Sequence, residues 1–348
     1  MSIFSPLLRR LLMLALLVCL LMTVFLSAAL SIFSPESWAV TYASRDRSGY
    51  WALYRMDVDH RLTVPLTRGL FIITEPVLSP DDRLVAWPSL VGDTFTVADR
   101  LTGQEQVVGL NAFYATKNLL VWSPDSRRLA YFDLTGLRLV EHFSGGGTGL
   151  AETISLHGLQ PFGVPIWHPD GSQIVFYADP GDDIYRFDLS TGEVQPLTDE
   201  PAQGEYDPVW SPDGAWLAYS LWDGRTLQLW ALHPESGERR LLADDVRSVE
   251  MAARWSPDGR RIAFISGRNG VSEVAWTRLA AEPSGTFQRV SLLPSDRAPV
   301  WSPDGRRIAF VNQNDNDLYW TYVPDVEGRV PFPAFRLTDN NAVNILLR

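Results

Sequence analysis

Hydrophobic positions along the 348-residue chain fall into two regimes. Near the N-terminus, the run from Leu11 to Phe33 contains no acidic or basic residue. From about residue 38 onward, apolar residues come in strand-length stretches rich in β-branched and aromatic types, separated by Pro, Asp and Gly. The second pattern predicts many short strands joined by tight turns.

The strands recur in register with a repeated phrase. It reads "VLSPDDRLVAW" (77–87), "VWSPDSRRLAY" (121–131), "IWHPDGSQIVF" (166–176), "VWSPDGAWLAY" (209–219), "RWSPDGRRIAF" (254–264) and "VWSPDGRRIAF" (300–310). Its prolines, Pro80, Pro124, Pro169, Pro212, Pro257 and Pro303, lie 43 to 46 residues apart. A period of this length marks a repeat architecture. Pro, Asp and Gly in succession fit a type I turn followed by a left-handed residue, the geometry of a short hairpin with a bulge. The motif aspartates Asp81, Asp125, Asp170, Asp213, Asp258 and Asp304 are therefore read as turn residues with local hydrogen bonds. The motif tryptophans 122, 167, 210, 255 and 301 are read as packing between repeats.

The remainder of each unit adds two strands, as in "IYRFDLSTGEVQPLTD", with strands at about 183–188 and 193–198. Four short antiparallel strands in about 45 residues make one propeller blade. Six units start at the turn motif. Residues 38–69 already hold strands two to four of another blade, and "NNAVNILLR" (340–348) comes where a first strand is due. Joining these fragments predicts an all-β, seven-bladed β-propeller latched by its two chain ends, with six blades as the alternative. The expected division is a membrane anchor or signal peptide over 1–34 and a propeller over 35–348.

"PVWSPDGRRIAF", "YASRDRSGYWALYRMD" and "QPLTD" resemble the PD40 (WD40-like) repeats of TolB-type propellers, from about residue 38 to the end. In TolB this fold is a docking platform for other proteins, and similar propellers accompany prolyl-oligopeptidase-type enzymes. The G-x-S-x-G elbow of those peptidases does not occur in the sequence. The resemblance implies a non-catalytic, protein-binding scaffold. Two alternatives stay open: a propeller hydrolase or lyase with a channel carboxylate or Ca²⁺ site, and a secreted glycan-binding propeller.

The N-terminal run places Arg9 and Arg10 ahead of 23 apolar or small residues. As a helix these span about 34 Å, enough for a bilayer core of roughly 30 Å. Arginines stay on the cytoplasmic side, so the expectation is a single-pass anchor with its propeller extracytoplasmic. Cleavage near Ala29, leaving a secreted or periplasmic protein, is the rival reading. Cys19 is the sole cysteine, so the body has no disulfide.

Composition narrows function further. A net charge of −11 excludes the basic stripe a nucleic-acid partner requires. The five histidines, His60, His142, His157, His168 and His233, show no metal-ligand spacing. "SGGGTG" (144–149) lacks the Lys-Ser/Thr ending of a phosphate loop. "NQNDNDLYW" (312–320) alternates Asn and Asp oxygens that could coordinate Ca²⁺, but it lacks the Gly and Glu of an EF-hand loop and suits a polar turn. No cofactor is expected. Function is sought where repeats differ, at the positions five and seven residues before each motif proline. These include Glu75, Lys117 (the only lysine), Glu205, Asp207, Glu250 and Asp296. They predict an acidic channel mouth that docks a basic or polar segment of a protein partner.

Overall fold

The computed structural model describes residues 37–347 except 46, 68–74, 89–93, 110–119, 134–135, 142–150, 180, 200–203, 247–251, 268–270, 280–286, 296, 325–331 and 341. The proposed anchor lies outside the described residues, among which no helix is long and apolar enough to cross a membrane.

Seven four-stranded antiparallel sheets form the blades of a seven-bladed β-propeller. Strands are lettered a to d from the axis outward. Blade 1 takes strand a from the C-terminal Val343–Leu346 and strands b to d from Ala39–Arg45, Trp51–Asp57 and Leu62–Pro65. Its closing register pairs Tyr42 with Leu346 and Arg45 with Val343. The inner strands of blades 2 to 7 are Val77–Leu78, Val121–Trp122, Gln160–Trp167, Gly204–Trp210, Arg254–Trp255 and Val300–Trp301. The first and last described strands in the sequence thus lie in one sheet, which leaves the ring no free edge between first and last blades.

Apolar residues from facing sheets pack between neighbouring blades. One such cluster joins Ala218, Leu229 and Leu242 of blade 5 to Trp255, Ile262 and Phe264 of blade 6. Phe264 and Phe310 are wholly buried. The motif tryptophans reach back one blade: the indole N–H groups of Trp122, Trp167, Trp255 and Trp301 donate to the carbonyls of Val77, Val121, Val209 and Arg254 at 3.3, 3.4, 3.0 and 2.9 Å. Arginines reach forward. Arg128 and Arg261 stack on Trp167 and Trp301 of the next blade, at 5.1 and 5.2 Å from the ring centres. At the seam Arg307 does the same to Trp38, at 4.6 Å, and pairs with Asp59.

Because all strands are antiparallel, the a–b and c–d turns share one face of the ring, while the b–c loops and d-to-a connections share the other. The motif turns occupy the first, the turn face. In the standard copies Ser donates to Asp, as Ser302 Oγ does to Asp304 Oδ1 at 2.5 Å. The same hydroxyl accepts the amide five residues on, from Arg307 at 2.8 Å. The turn closes with a left-handed residue, Gly305 at φ 67° and Gly259 at φ 67°, with Asp82 (63°) and Ser126 (62°) in the copies lacking glycine. His168 replaces the serine in blade 4. It contacts Asp170 at 2.6 Å through Nδ1 and the Gly214 carbonyl of blade 5 at 3.2 Å through Nε2.

Hydrogen bonds within the turns lower the aspartate pKa values. At Asp170 the Ser172 hydroxyl leads, with the Ser172 amide and His168 adding, and the carboxyl is held at about 2. At Asp81, Asp125, Asp258 and Asp304 desolvation raises the value, but serine and backbone hydrogen bonds outweigh it. On the opposite face the "L-T" ending of strand d has its own task. The hydroxyls of Thr67, Thr198 and Thr338 accept an amide near the start of strand c from Leu53, Ile184 and Leu318, at 2.9, 2.8 and 2.9 Å.

Candidate functional site

The loop face is where the blades differ. Of the six residues expected at the channel mouth, Glu75, Glu205 and Asp207 are described, while Lys117, Glu250 and Asp296 lie outside the described residues. Glu75 is half-buried at the entry to strand a of blade 2.

Glu205 and Asp207 are two residues apart, yet they do not share an environment. Strand a of blade 5 pairs Glu205 with Leu221, then loses register between Tyr206 and Val209. Asp207 sits in that bulge at φ 51°, where a strand's alternation of faces is broken. Glu205 is fully buried against blade 4 rather than solvated on a rim. Burial pushes its carboxyl up to about 7, against the opposing pull of the Thr198 hydroxyl and Arg239. Both its oxygens lack a hydrogen bond of good geometry. Asp207 instead acts toward blade 6, where its charge supports that of Arg254.

Arg254 is the residue that reading the repeats by their acidic positions misses. It precedes the motif tryptophan, where the other copies carry Val77, Val121, Ile166, Val209 and Val300. Its strand is the innermost of blade 6, yet its side chain is exposed. Solvent at that radius is the axial channel. The guanidinium is nevertheless desolvated enough to lower its pKa, with Asp207 opposing the shift. It donates to the Ala253 carbonyl at 2.8 Å. One arginine in an otherwise aliphatic row, beside a carboxylate, is a place for an anion.

Beside Asp207, two tyrosines form a wall. Tyr206 donates to Asp182 at 3.2 Å and meets Tyr177 edge-to-face at 5.8 Å. Glycine makes room for both: a Cβ on Gly163 would come within 2.6 Å of the Tyr177 hydroxyl, and one on Gly204 within 2.0 Å of that of Tyr206. Desolvation, with Asp182, raises the Tyr206 pKa, so the phenol stays a proton donor. Further around the loop face, a cleft of about 600 Å³ is lined by Tyr42, Ser44, Arg47, Ser48, Tyr54, Asn340 and Ala342.

Among the described residues, no three His, Cys, Asp or Glu side chains are grouped to hold a metal ion. The Asn/Asp run at 312–320 is a b–c turn over 312–317 that leads into strand c at Leu318. Asn316 donates to the Asn312 carbonyl at 2.8 Å, the Asp317 amide donates to Asp315, and Asp317 binds Arg336 and Thr338.

This site sits on a seven-bladed β-propeller. No protein-family model matches the chain, and no curated protein matches it. Solved structures do. An oligogalacturonate lyase in complex with manganese is similar at 18% identity and a TM-score of 0.62, over 82% of this chain and 86% of that one. A putative 6-phosphogluconolactonase from Bacteroides fragilis is similar at 14% identity and a TM-score of 0.59, over 90% and 99%. TolB from Acinetobacter baumannii is similar at 19% identity, over 81% and 77%, with a TM-score of 0.49.

At these identities the likeness is one of fold. It still corrects two expectations. The TolB resemblance implied a non-catalytic protein-binding scaffold, but the solved propellers similar to this one include a lyase and a putative lactonase. The scaffold reading and the exclusion of enzymatic activity therefore do not stand. The resemblance to TolB-type repeats identified the architecture, which those enzymes share, and repeat motifs of this kind carry fold rather than function.

Proposed function

We propose that this propeller is an enzyme that breaks a C–O bond in an anionic sugar, with Arg254 as the anion-binding group and Asp207 as the proton acceptor. The observation that carries the proposal is Arg254 itself, a cation exposed to the axial channel with Asp207 beside it. The substrate class is supported by the two enzyme names, since oligogalacturonate and phosphogluconolactone are both anionic sugars.

The chemistry requires a base and a positive charge near a carboxyl carbon. Asp207 takes a proton, either from the carbon next to the carboxylate or from an attacking water. Arg254 neutralises the negative charge that develops on the carboxyl oxygens as that proton leaves. In elimination the C–O bond at the β-carbon then breaks and the leaving alcohol is released. In lactone opening the ring oxygen leaves instead. The tyrosine wall supplies a flat face for a sugar ring and a donor in the Tyr206 hydroxyl.

The same proposal places the ring outside the cytoplasm, tethered by Leu11–Phe33. The experiment is turnover of the full-length protein on uronate oligosaccharides and aldonolactones, monitoring unsaturated product for elimination and acid release for hydrolysis. Turnover of either class, lost in Asp207→Asn, supports the assignment. No turnover of any anionic sugar contradicts it.

A further inference from the structure

We infer that the turn face of blade 7 docks onto a lipid surface, so that the ring sits with its turn face on the membrane and its loop face open to substrate. The inference rests on the tethered reading above.

A ladder of aromatic side chains occupies the outer part of this face. Trp320 stacks on Phe335 at 4.8 Å and meets Tyr322 edge-on at 5.2 Å, and Tyr322 meets Phe332 at 5.8 Å. Tyr322, Phe332 and Phe335 remain 44%, 37% and 39% exposed. Strand c runs toward the turn face, and Tyr322 pairs there with Arg307, directly after the motif turn. On the neighbouring blade Leu62 adds a fourth apolar side chain, 41% exposed at the start of strand d. A contiguous aromatic surface of this kind marks an interaction site, and amphipathic rings favour the bilayer–water boundary.

The chain itself names the occupant. Trp38 enters blade 1 on this same face, under Arg307, and lies 6.2 Å from Trp320 in an edge contact. Only four residues, five Cα–Cα steps, separate it from Phe33, the end of the apolar run. An extended chain of that length reaches about 17 Å. The aromatic ladder is thus held within a short tether of the bilayer surface, while the channel mouth points the other way. Arg127, Arg260 and Arg306, exposed on the same face, suit anionic headgroups.

The test uses the full chain with Cys19→Ala, carrying one nitroxide at Tyr322→Cys or at Ser48→Cys on the loop face. The protein is reconstituted in phosphatidylethanolamine–phosphatidylglycerol vesicles. Flotation reads the tether, and collision with oxygen against a water-soluble nickel complex reads the depth of each label. The expected result is co-flotation, with the oxygen-to-nickel collision ratio at 322 several-fold above that at 48. A second label at Leu62→Cys should lose its nickel protection when Tyr322, Phe332 and Phe335 are all changed to Ser. Flotation with equal, water-like ratios at 322 and 48 overturns the docking while leaving the tether standing. Failure to float removes the tether, and the docking with it.

Discussion

On the turn face, Ser256 and Ser302 bind Asp258 and Asp304 in the same 2.5 Å hydrogen bond, and the next turn residue is Gly259 or Gly305 at φ 67° in both. Along the axial channel the innermost strands of the same two blades and their neighbour hold an exposed arginine, an aliphatic residue and a carboxylate at or near corresponding positions. Geometry that every blade must reproduce leaves no freedom for chemistry. The face released from that demand is free to acquire it. The comparison teaches where to look in a repeat protein: the residue that breaks a repeat, on the face where the repeat is weakest.

The largest effect that should sharpen this contrast is on stability. Trp301→Ala removes a buried ring and its hydrogen bond to the Arg254 carbonyl. It should cost about 3–5 kcal/mol in chemical denaturation. Tyr50→Ala, at a loop-face residue 43% exposed, should stay within about 0.5 kcal/mol. Equal losses would break the distinction between the faces.

Glu205 comes next, and its sign is opposite to that of the turn aspartates. Its folded pKa of about 7 lies above the ordinary 4.5, so the folded state binds the proton more tightly than the unfolded chain. Stability should therefore fall as pH rises from 4.5 to 7. Glu205→Gln should abolish this slope and stabilise by about 3 kcal/mol at pH 8, with little change at pH 4. The turn aspartates have depressed values, so their contribution is present above the unfolded carboxylate range and is lost as pH falls below about 4. Denaturant midpoints across pH 3 to 8, with and without the substitution, separate the two arms. A wild-type midpoint that rises between pH 5 and 7 would contradict the assignment for Glu205.

The smallest effects test the sameness of the repeats. Ser211→Ala, Ser256→Ala and Ser302→Ala each remove a hydroxyl that donates to Asp and accepts a backbone amide. Each should cost about 1–2 kcal/mol, and the three should agree with one another. A spread of several kcal/mol among them would show that the turns are not equivalent.

Architecture was legible because it is written in repeated units. A turn that must place a left-handed residue after Pro-Asp uses few residue types, and a 45-residue period exposes them. The seam was legible too, since residues 38–69 carry three strands whose partner could come only from elsewhere. The site was less legible for two physical reasons. Counting positions back from each proline assumes an unbroken alternation, and the bulge at Asp207 breaks it, which sends Glu205 into the blade 4 interface. Searching for carboxylates also drew attention from the one cation in an aliphatic row. "RWSPDG" against "VWSPDG" was the available signal, and Arg254 is its content. Function resisted the sequence because the repeats specify a ring used by docking proteins and enzymes alike.

The central claim is that the chemistry belongs to the Arg254–Asp207 pair and that the turn face has only a structural part in it. The most direct measurement is turnover and thermal midpoint for Arg254→Gln beside Ser302→Ala on the same anionic sugar. The account predicts that Arg254→Gln loses at least about 100-fold in turnover with its midpoint unchanged, while Ser302→Ala lowers the midpoint and keeps its turnover. Wild-type turnover in Arg254→Gln would contradict it.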